Sequence, residues 1–170
     1  MFSLKIKIAG NFFFFMCFCA ANVFSGTDIK QNPSKEEAVQ NDLGMKYFKH
    51  GYYDLIPRGQ KSEADQYLNQ AEAAFKKSIE INRYYIDAHL NLARLYHLQG
   101  KFSKAAQEYD SAISLDPENI DAYTQMAVVQ TELGEFDKAI QYLQKAKSRT
   151  TDQEVIKKLN DYIEKAEMAE

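Results

Sequence analysis

From residue 37 to the end of the chain, apolar side chains recur every three or four positions, the spacing of one buried helix face. Ile86, His89, Leu90, Ala93 and Tyr96 mark one such helix. Phe102, Ala105, Ala106, Tyr109, Ala112 and Ile113 mark a second. Gly100 lies between them and supplies the permissive backbone of a turn. Displaced by 34 residues, the chain matches itself: Ile86-Asp87-Ala88 meets Ile120-Asp121-Ala122, Ala93 meets Ala127, Gly100 meets Gly134, Phe102 meets Phe136, Lys104-Ala105 meets Lys138-Ala139, and Ala112 meets Ala146. A repeat of this period is the signature of stacked supersecondary units. Alanine at 93 and 105 lets neighbouring helices approach closely. Asp116-Pro117 reads as the start of the next helix, with aspartate as its cap and proline in its first turn.

An earlier copy is interrupted. Leu43-Gly44, Tyr47, Gly51 and Tyr53 match the first helix and turn of the unit, and Ala71, Phe75, Ser78 and Ile79 match the second helix. Gly51 to Ala71 is 20 residues, however, where Gly100 to Ala105 is five, so about 15 extra residues surround Pro57-Arg58-Gly59. Ala64, Tyr67, Leu68, Ala71, Phe75 and Ile79 keep one stripe, which predicts a longer second helix, with Tyr52, Leu55 and Ile56 covering its extension. At the other end, Thr151 followed by Glu154 is a capping-box signature. Val155, Leu159, Tyr162, Ile163 and Ala166 then form a single apolar stripe opposite a charged face, as the last helix of a stack requires.

These residues resemble the tetratricopeptide repeat. The resemblance runs through His89, Leu92-Ala93, Tyr96, Ala105, Tyr109, Ala112 and Pro117, then Tyr123, Met126-Ala127, Gln130, Ala139, Leu143 and Ala146. Gln130 and Leu143 depart from the usual aromatics, and Thr151 stands in place of a closing proline. The fold implied is all-α: a right-handed superhelical stack of about three hairpins plus a capping helix. Residues 37–82 hold the hairpin with the insertion, 86–119 and 120–150 the two regular ones, and 151–170 the cap.

The resemblance further implies a protein or peptide partner held in the groove lined by the first helix of each hairpin. Matching to the family pattern places Asn41, Met45, Phe48 and Lys49 there from the first hairpin, Leu90, Asn91, Arg94 and His97 from the second, and Thr124, Val128 and Thr131 from the third. That mixture of apolar and polar groups suits an amphipathic helix or an extended segment. Chaperone-binding members use a basic clamp for a C-terminal carboxylate. Only Asn91 fits that clamp, and Asp121 would repel the ligand. Tyr52, Tyr53, Tyr67 and Ile56 beside Pro57-Arg58 make a second candidate surface, although the same residues also suffice to pack the long hairpin together.

The first 25 residues differ from the rest. Lys5 and Lys7 precede an apolar run centred on Phe12 to Ala21, then small residues Ala20, Ala21, Ser25 and Gly26, the order of a secretory signal. Cleavage after Ala21 or Ser25 fits, and an uncleaved anchor is the alternative. Either makes the protein exported, periplasmic or anchored with its body outside the cytoplasm, touching the membrane only through this segment. Met16 before Cys17 and Phe18 before Cys19 are not the small residues that usually precede a lipidated cysteine. Residues 26–36 read as a linker. Loss of the signal removes both cysteines and takes the net charge from −3 to −5.

Catalysis finds little in this chain. His89 and His97 are eight residues apart, too far for a helical zinc pair, and His89 occupies a packing position. No glycine-rich phosphate loop occurs, and Glu132, Glu135 and Asp137 fall at a hairpin turn where solvated charge is ordinary. No catalytic residue, cofactor or metal is expected. Nor is nucleic acid, given the negative charge: Lys145, Lys147 and Arg149 are accounted for by a helix C-terminus. Two function classes remain: an adaptor or assembly factor that captures a partner segment, and a self-associating scaffold of the cell envelope.

Overall fold

The computed structural model describes residues 35–169. The segment expected to be a signal or anchor, with the two cysteines, and nearly all of the expected linker lie outside them. Among the described residues there are seven α-helices and no strand: α1 Lys35–Lys49, α2 Lys61–Ile81, α3 Ile86–Leu98, α4 Phe102–Leu115, α5 Ile120–Glu132, α6 Phe136–Lys147 and α7 Gln153–Ala169, with a π-helical segment at His50–Leu55. α1 thus begins two residues before the position expected for the start of the first hairpin. None of these helices is long and apolar enough to cross a membrane.

Helices α1–α2, α3–α4 and α5–α6 form the three hairpins. Each second helix also packs against the first helix of the following unit, and α7 lies on α6 as α5 lies on α4. Alanine makes these crossings close: Ala93, Ala105, Ala112, Ala139 and Ala146 are fully buried. The core continues from Phe48 and Phe75 through Leu92, Tyr96 and Tyr109 to Met126 and Val129. It then passes to Tyr123, Leu143 and Leu159 under the last helix. Ile113 and Tyr142 pack against both parts.

The three hairpin turns are one motif. Gly59, Gly100 and Gly134 have φ of 75°, 70° and 76°, the left-handed conformation that glycine adopts without penalty. The following amide reaches back five residues in each turn: Gln60 to Leu55 at 3.1 Å, Lys101 to Tyr96 at 2.9 Å and Glu135 to Gln130 at 2.9 Å. These bonds satisfy carbonyls left open at the helix end. The turn glycine of the first hairpin is therefore Gly59, not Gly51. Gly51 lies inside the π segment, where a Cβ would meet the Ala64 carbonyl at 3.1 Å and the Tyr67 Cβ at 3.2 Å.

This placement shows where the extra residues go. From Gly44 to Gly59 is 15 residues, eight more than from Ala93 to Gly100; from Gly59 to Ser78 is 19, seven more than from Gly100 to Ala112. Both helices are lengthened, not the second alone, each by about two α-turns of 3.6 residues. The outgoing helix gains one residue more than the returning one. The π segment, closed by Ile56 N–H to the Gly51 carbonyl at 3.2 Å, takes up that residue in a wider turn. Leu55 is buried and covers the extension as expected, whereas Ile56 is exposed.

Two caps also differ from expectation. Asp116 ends α4 and accepts from the Glu118 amide at 3.2 Å. The cap of α5 is Asn119, whose Oδ1 accepts from Ala122 N–H at 2.9 Å. For α7 the cap is Asp152, not Thr151: its Oδ1 accepts from Glu154 N–H at 2.8 Å. In both cases a polar side chain nearer the helix, by three residues at α5 and by one at α7, takes the first free amides.

Candidate partner-binding groove

The first helices of the hairpins, together with α7, share one face. Side-chain bonds cross it from helix to helix. Asn91 Nδ2 on α3 donates to Asn41 Oδ1 on α1 at 2.9 Å. Arg94 on α3 pairs with Asp121 on α5 and also reaches Asn91 Oδ1 at 3.5 Å. Asn41, Asn91, Arg94 and Asp121 thus form a polar ladder spanning three helices. Arg94 and Asp121 are each about half exposed, so the pair adds little to stability. Its consequence is electrostatic: the guanidinium is already neutralised by a carboxylate. Beneath it, burial pushes the Tyr109 phenol well above its ordinary range, with Arg94 opposing and Asp121 adding to the rise.

The groove residues expected from the sequence fall into two groups. Asn41, Phe48 and Leu90 are buried by contacts within the fold. Phe48 stacks on Tyr52, ring centroids 5.6 Å apart and nearly parallel. Met45, Asn91, His97 and Thr124 are half-buried; Lys49, Arg94, Val128 and Thr131 are exposed. His97 leans on Phe102 at 5.9 Å. The Thr124 and Thr131 hydroxyls donate to the Ile120 and Ala127 carbonyls of their own helix, at 2.8 and 3.1 Å. They therefore meet the groove as methyl groups and oxygen acceptors.

At the α5–α7 end this face opens into a cleft of about 200 Å³, walled by Ala127, Val128, Leu143, Tyr162 and Ala166 and rimmed by Thr131, Glu132 and Lys165. Val128 is 39% and Tyr162 47% exposed. The sequence pattern assigns Tyr162 to the apolar stripe of the cap, with its neighbours inside the core. The structure keeps Leu159 and Ala166 there and leaves Tyr162 at the cleft. The available signal was the extra width of the stripe: Tyr162 and Ile163 are adjacent, and two adjacent side chains do not share one helix direction.

The long first hairpin holds the second candidate surface. Tyr67 packs edge-on against His50 at 4.5 Å and tilted against Tyr47 at 6.2 Å and so joins the two helices of the hairpin, while Tyr52 lies on Phe48 of its own arm. Tyr53 stands edge-on to Tyr52 at 5.0 Å yet stays 64% exposed. Elsewhere, Arg149 ends α6 by donating to the Lys145 carbonyl at 2.7 Å and lies 4.4 Å from the Tyr123 ring. No group of three or more metal-ligating side chains occurs among the described residues.

A tetratricopeptide repeat family model matches residues 96–160, and a second matches residues 74–107. No curated protein matches the chain in sequence. Similar solved structures include the first TPR of Spaghetti (RPAP3) bound to the HSP90 peptide SRMEEVD, with a TM-score of 0.64 at 19% identity over 80% of this chain and 94% of that one. The TPR2B domain of yeast Sti1, solved as a pHsp70 complex, has a TM-score of 0.65 at 18% identity over 81% of this chain and 100% of that one. The type III secretion translocator chaperone SycD of Yersinia enterocolitica has a TM-score of 0.57 at 14% identity over 75% and 85% of the two chains. At such identities the likeness is one of fold.

Proposed function

Because the chain belongs, through residues 74–160, to the tetratricopeptide repeat family, we propose that it is a protein-interaction module. It acts as an adaptor or assembly factor that holds a partner segment on the α1–α3–α5–α7 face and performs no chemistry of its own. The observation that carries this reading is the open apolar cleft between α5 and α7, with Val128 and Tyr162 exposed at its wall. One of the similar structures holds an HSP90 peptide and another is a pHsp70 complex, which supports the reading in kind and not in ligand. The groove here puts Asp121 against Arg94, an arrangement unsuited to an acidic chain terminus. The partner segment therefore offers an apolar side chain to the cleft and neutral or amide groups to the ladder. Export through the N-terminal segment is part of the same proposal and places the partner in the cell envelope.

The test is a capture experiment from native extract with the full chain, beside a Tyr162→Ala, Val128→Asp double variant of matched helicity, and beside the SRMEEVD peptide as a direct ligand. We expect a specific protein retained by the parent and lost by the variant, and no binding of the peptide. A protein that captures nothing and forms defined oligomers alone would replace this reading with the self-associating scaffold. Fractionation of producing cells checks export: a cytosolic, full-length product would remove that part.

A further inference from the structure

We propose that the junction between the first and second hairpins is a proton-dependent latch, in which His89 is held as the imidazolium and joins α3 both to α4 and to the α2–α3 connection. His89 is buried. Its Nδ1 lies 2.8 Å from Glu108 Oε2 of α4, and its Nε2 lies 3.0 Å from the Arg83 carbonyl of the connection. A carbonyl oxygen only accepts, and so does an ionised carboxylate. Both ring nitrogens must then carry hydrogen, and only the imidazolium does. A neutral ring satisfies one partner and abandons the other.

The groups around the ring agree with this assignment. Glu108 is the carboxylate that faces it from α4. Arg83 contributes its carbonyl while its guanidinium turns away, over the Tyr84 ring at 4.7 Å. The connection is otherwise held by Asn82, whose Oδ1 accepts from Tyr84 N–H at 3.0 Å and whose Nδ2 donates to Glu37 Oε1 of α1 at 2.8 Å. A chain of bonds thus runs from α1 through the connection and His89 to α4, and the ring proton is the member that pH removes. Burial lowers the His89 pKa, but the bonds to Glu108 and to the Arg83 carbonyl outweigh it and leave it above the ordinary 6.5. A folded-state value above the unfolded one stabilises fully below about 6.5 and ceases to do so as pH rises through the folded value.

The molecule contains its own control. Thirty-four residues on, the same position of the next unit is Tyr123, and the connection Asp116–Asn119 is closed by amide and carboxylate bonds with no imidazole. The α4–α5 junction lacks the device that the α2–α3 junction has. The inference concerns the fold of the chain and stands apart from the proposed function.

Long-range ¹⁵N–¹H correlation of the histidine rings in the full chain, from pH 5.5 to 9, tests the latch directly. Both His89 nitrogens are expected at imidazolium shifts to a pH above the ordinary histidine value of 6.5. Amide exchange at Tyr85 and Ala88, corrected for the intrinsic rate, is expected to quicken severalfold once His89 deprotonates, while exchange at Asn119 and Tyr123 does not change. Glu108→Gln removes the charge, not the shape, and is expected to lower the His89 midpoint. A neutral His89 ring at pH 6.5, an unchanged midpoint in Glu108→Gln, or equal quickening at both junctions would overturn the proposal.

Discussion

The two ends of the α1–α3–α5–α7 face are built from equivalent helices but leave different surfaces. Between α1 and α3, Asn41 and Asn91 bond to one another, Phe48 and Leu90 are buried, and Tyr52 lies over Phe48. Between α5 and α7, Val128 and Tyr162 stand apart across a cleft floored by Leu143. The first end has the long hairpin, whose extra turns add aromatic side chains that fold back on it. The second has a short hairpin packed against α7, and Tyr162 stays at the open cleft among the described residues. A repeat array thus keeps an open apolar cleft where its hairpin is short, and loses one where an extended unit closes over its own groove.

The sharpest way to break this comparison is to put the same charge on one apolar residue at each of the two ends. Leu90→Asp buries a carboxylate with no partner and should destabilise by about 3 kcal/mol or more. Val128→Asp points into the open cleft and should leave stability within about 0.5 kcal/mol, as exposed positions do. Urea unfolding of both variants checks this, and equal losses would show that the two ends are equally closed.

A smaller effect sharpens the polar side of the contrast. Asn41→Ala removes the acceptor of Asn91 Nδ2 and leaves that amide half-buried with one bond fewer. The expected cost is about 1–2 kcal/mol. Thr124→Ala, by contrast, removes a hydroxyl that only re-bonds its own helix and should be close to neutral. Thermal melts of the pair decide whether the ladder holds α1 against α3.

Residue-level reasons explain how much of this was legible in the chain. The 34-residue period located α3 to α6 and their turns because Gly100, Gly134 and the small residues at 93, 105, 127 and 139 each do one geometric job that few residues can do. The first turn was misplaced because Gly51 and Gly59 are the same residue type in different roles: Gly51 gives close approach between helices, and Gly59 gives a positive φ. Composition does not distinguish those roles. The caps were shifted by one to three residues because several aspartates, asparagines and threonines compete for the same amides. Within the groove, matching to the family pattern gave direction but not depth. Phe48 and Leu90 point toward the face that Val128 shares, and only the neighbouring packing buries the first two.

The smallest expected effect tests why the first hairpin is long without being loose. Its outgoing helix is lengthened by one residue more than its returning helix, and the π segment at His50–Leu55 absorbs it. A π turn takes about one residue more than an α turn at nearly the same axial length. Deleting exposed Asp54 should therefore convert the segment to α-helix with Gly51 and Leu55 still on the buried side. The loss of the His50–Asp54 pair, exposed at 3.0 Å, is slight, so stability should change by about 1 kcal/mol or less. Deleting Asn91 from the regular α3 instead rotates everything after it by about 100° and should abolish cooperative unfolding. Calorimetry of the two deletions separates the cases. Collapse of the Asp54 deletion would mean that the π turn is required for the packing of Tyr52 and Tyr67 and is not merely the place where a surplus residue is stored.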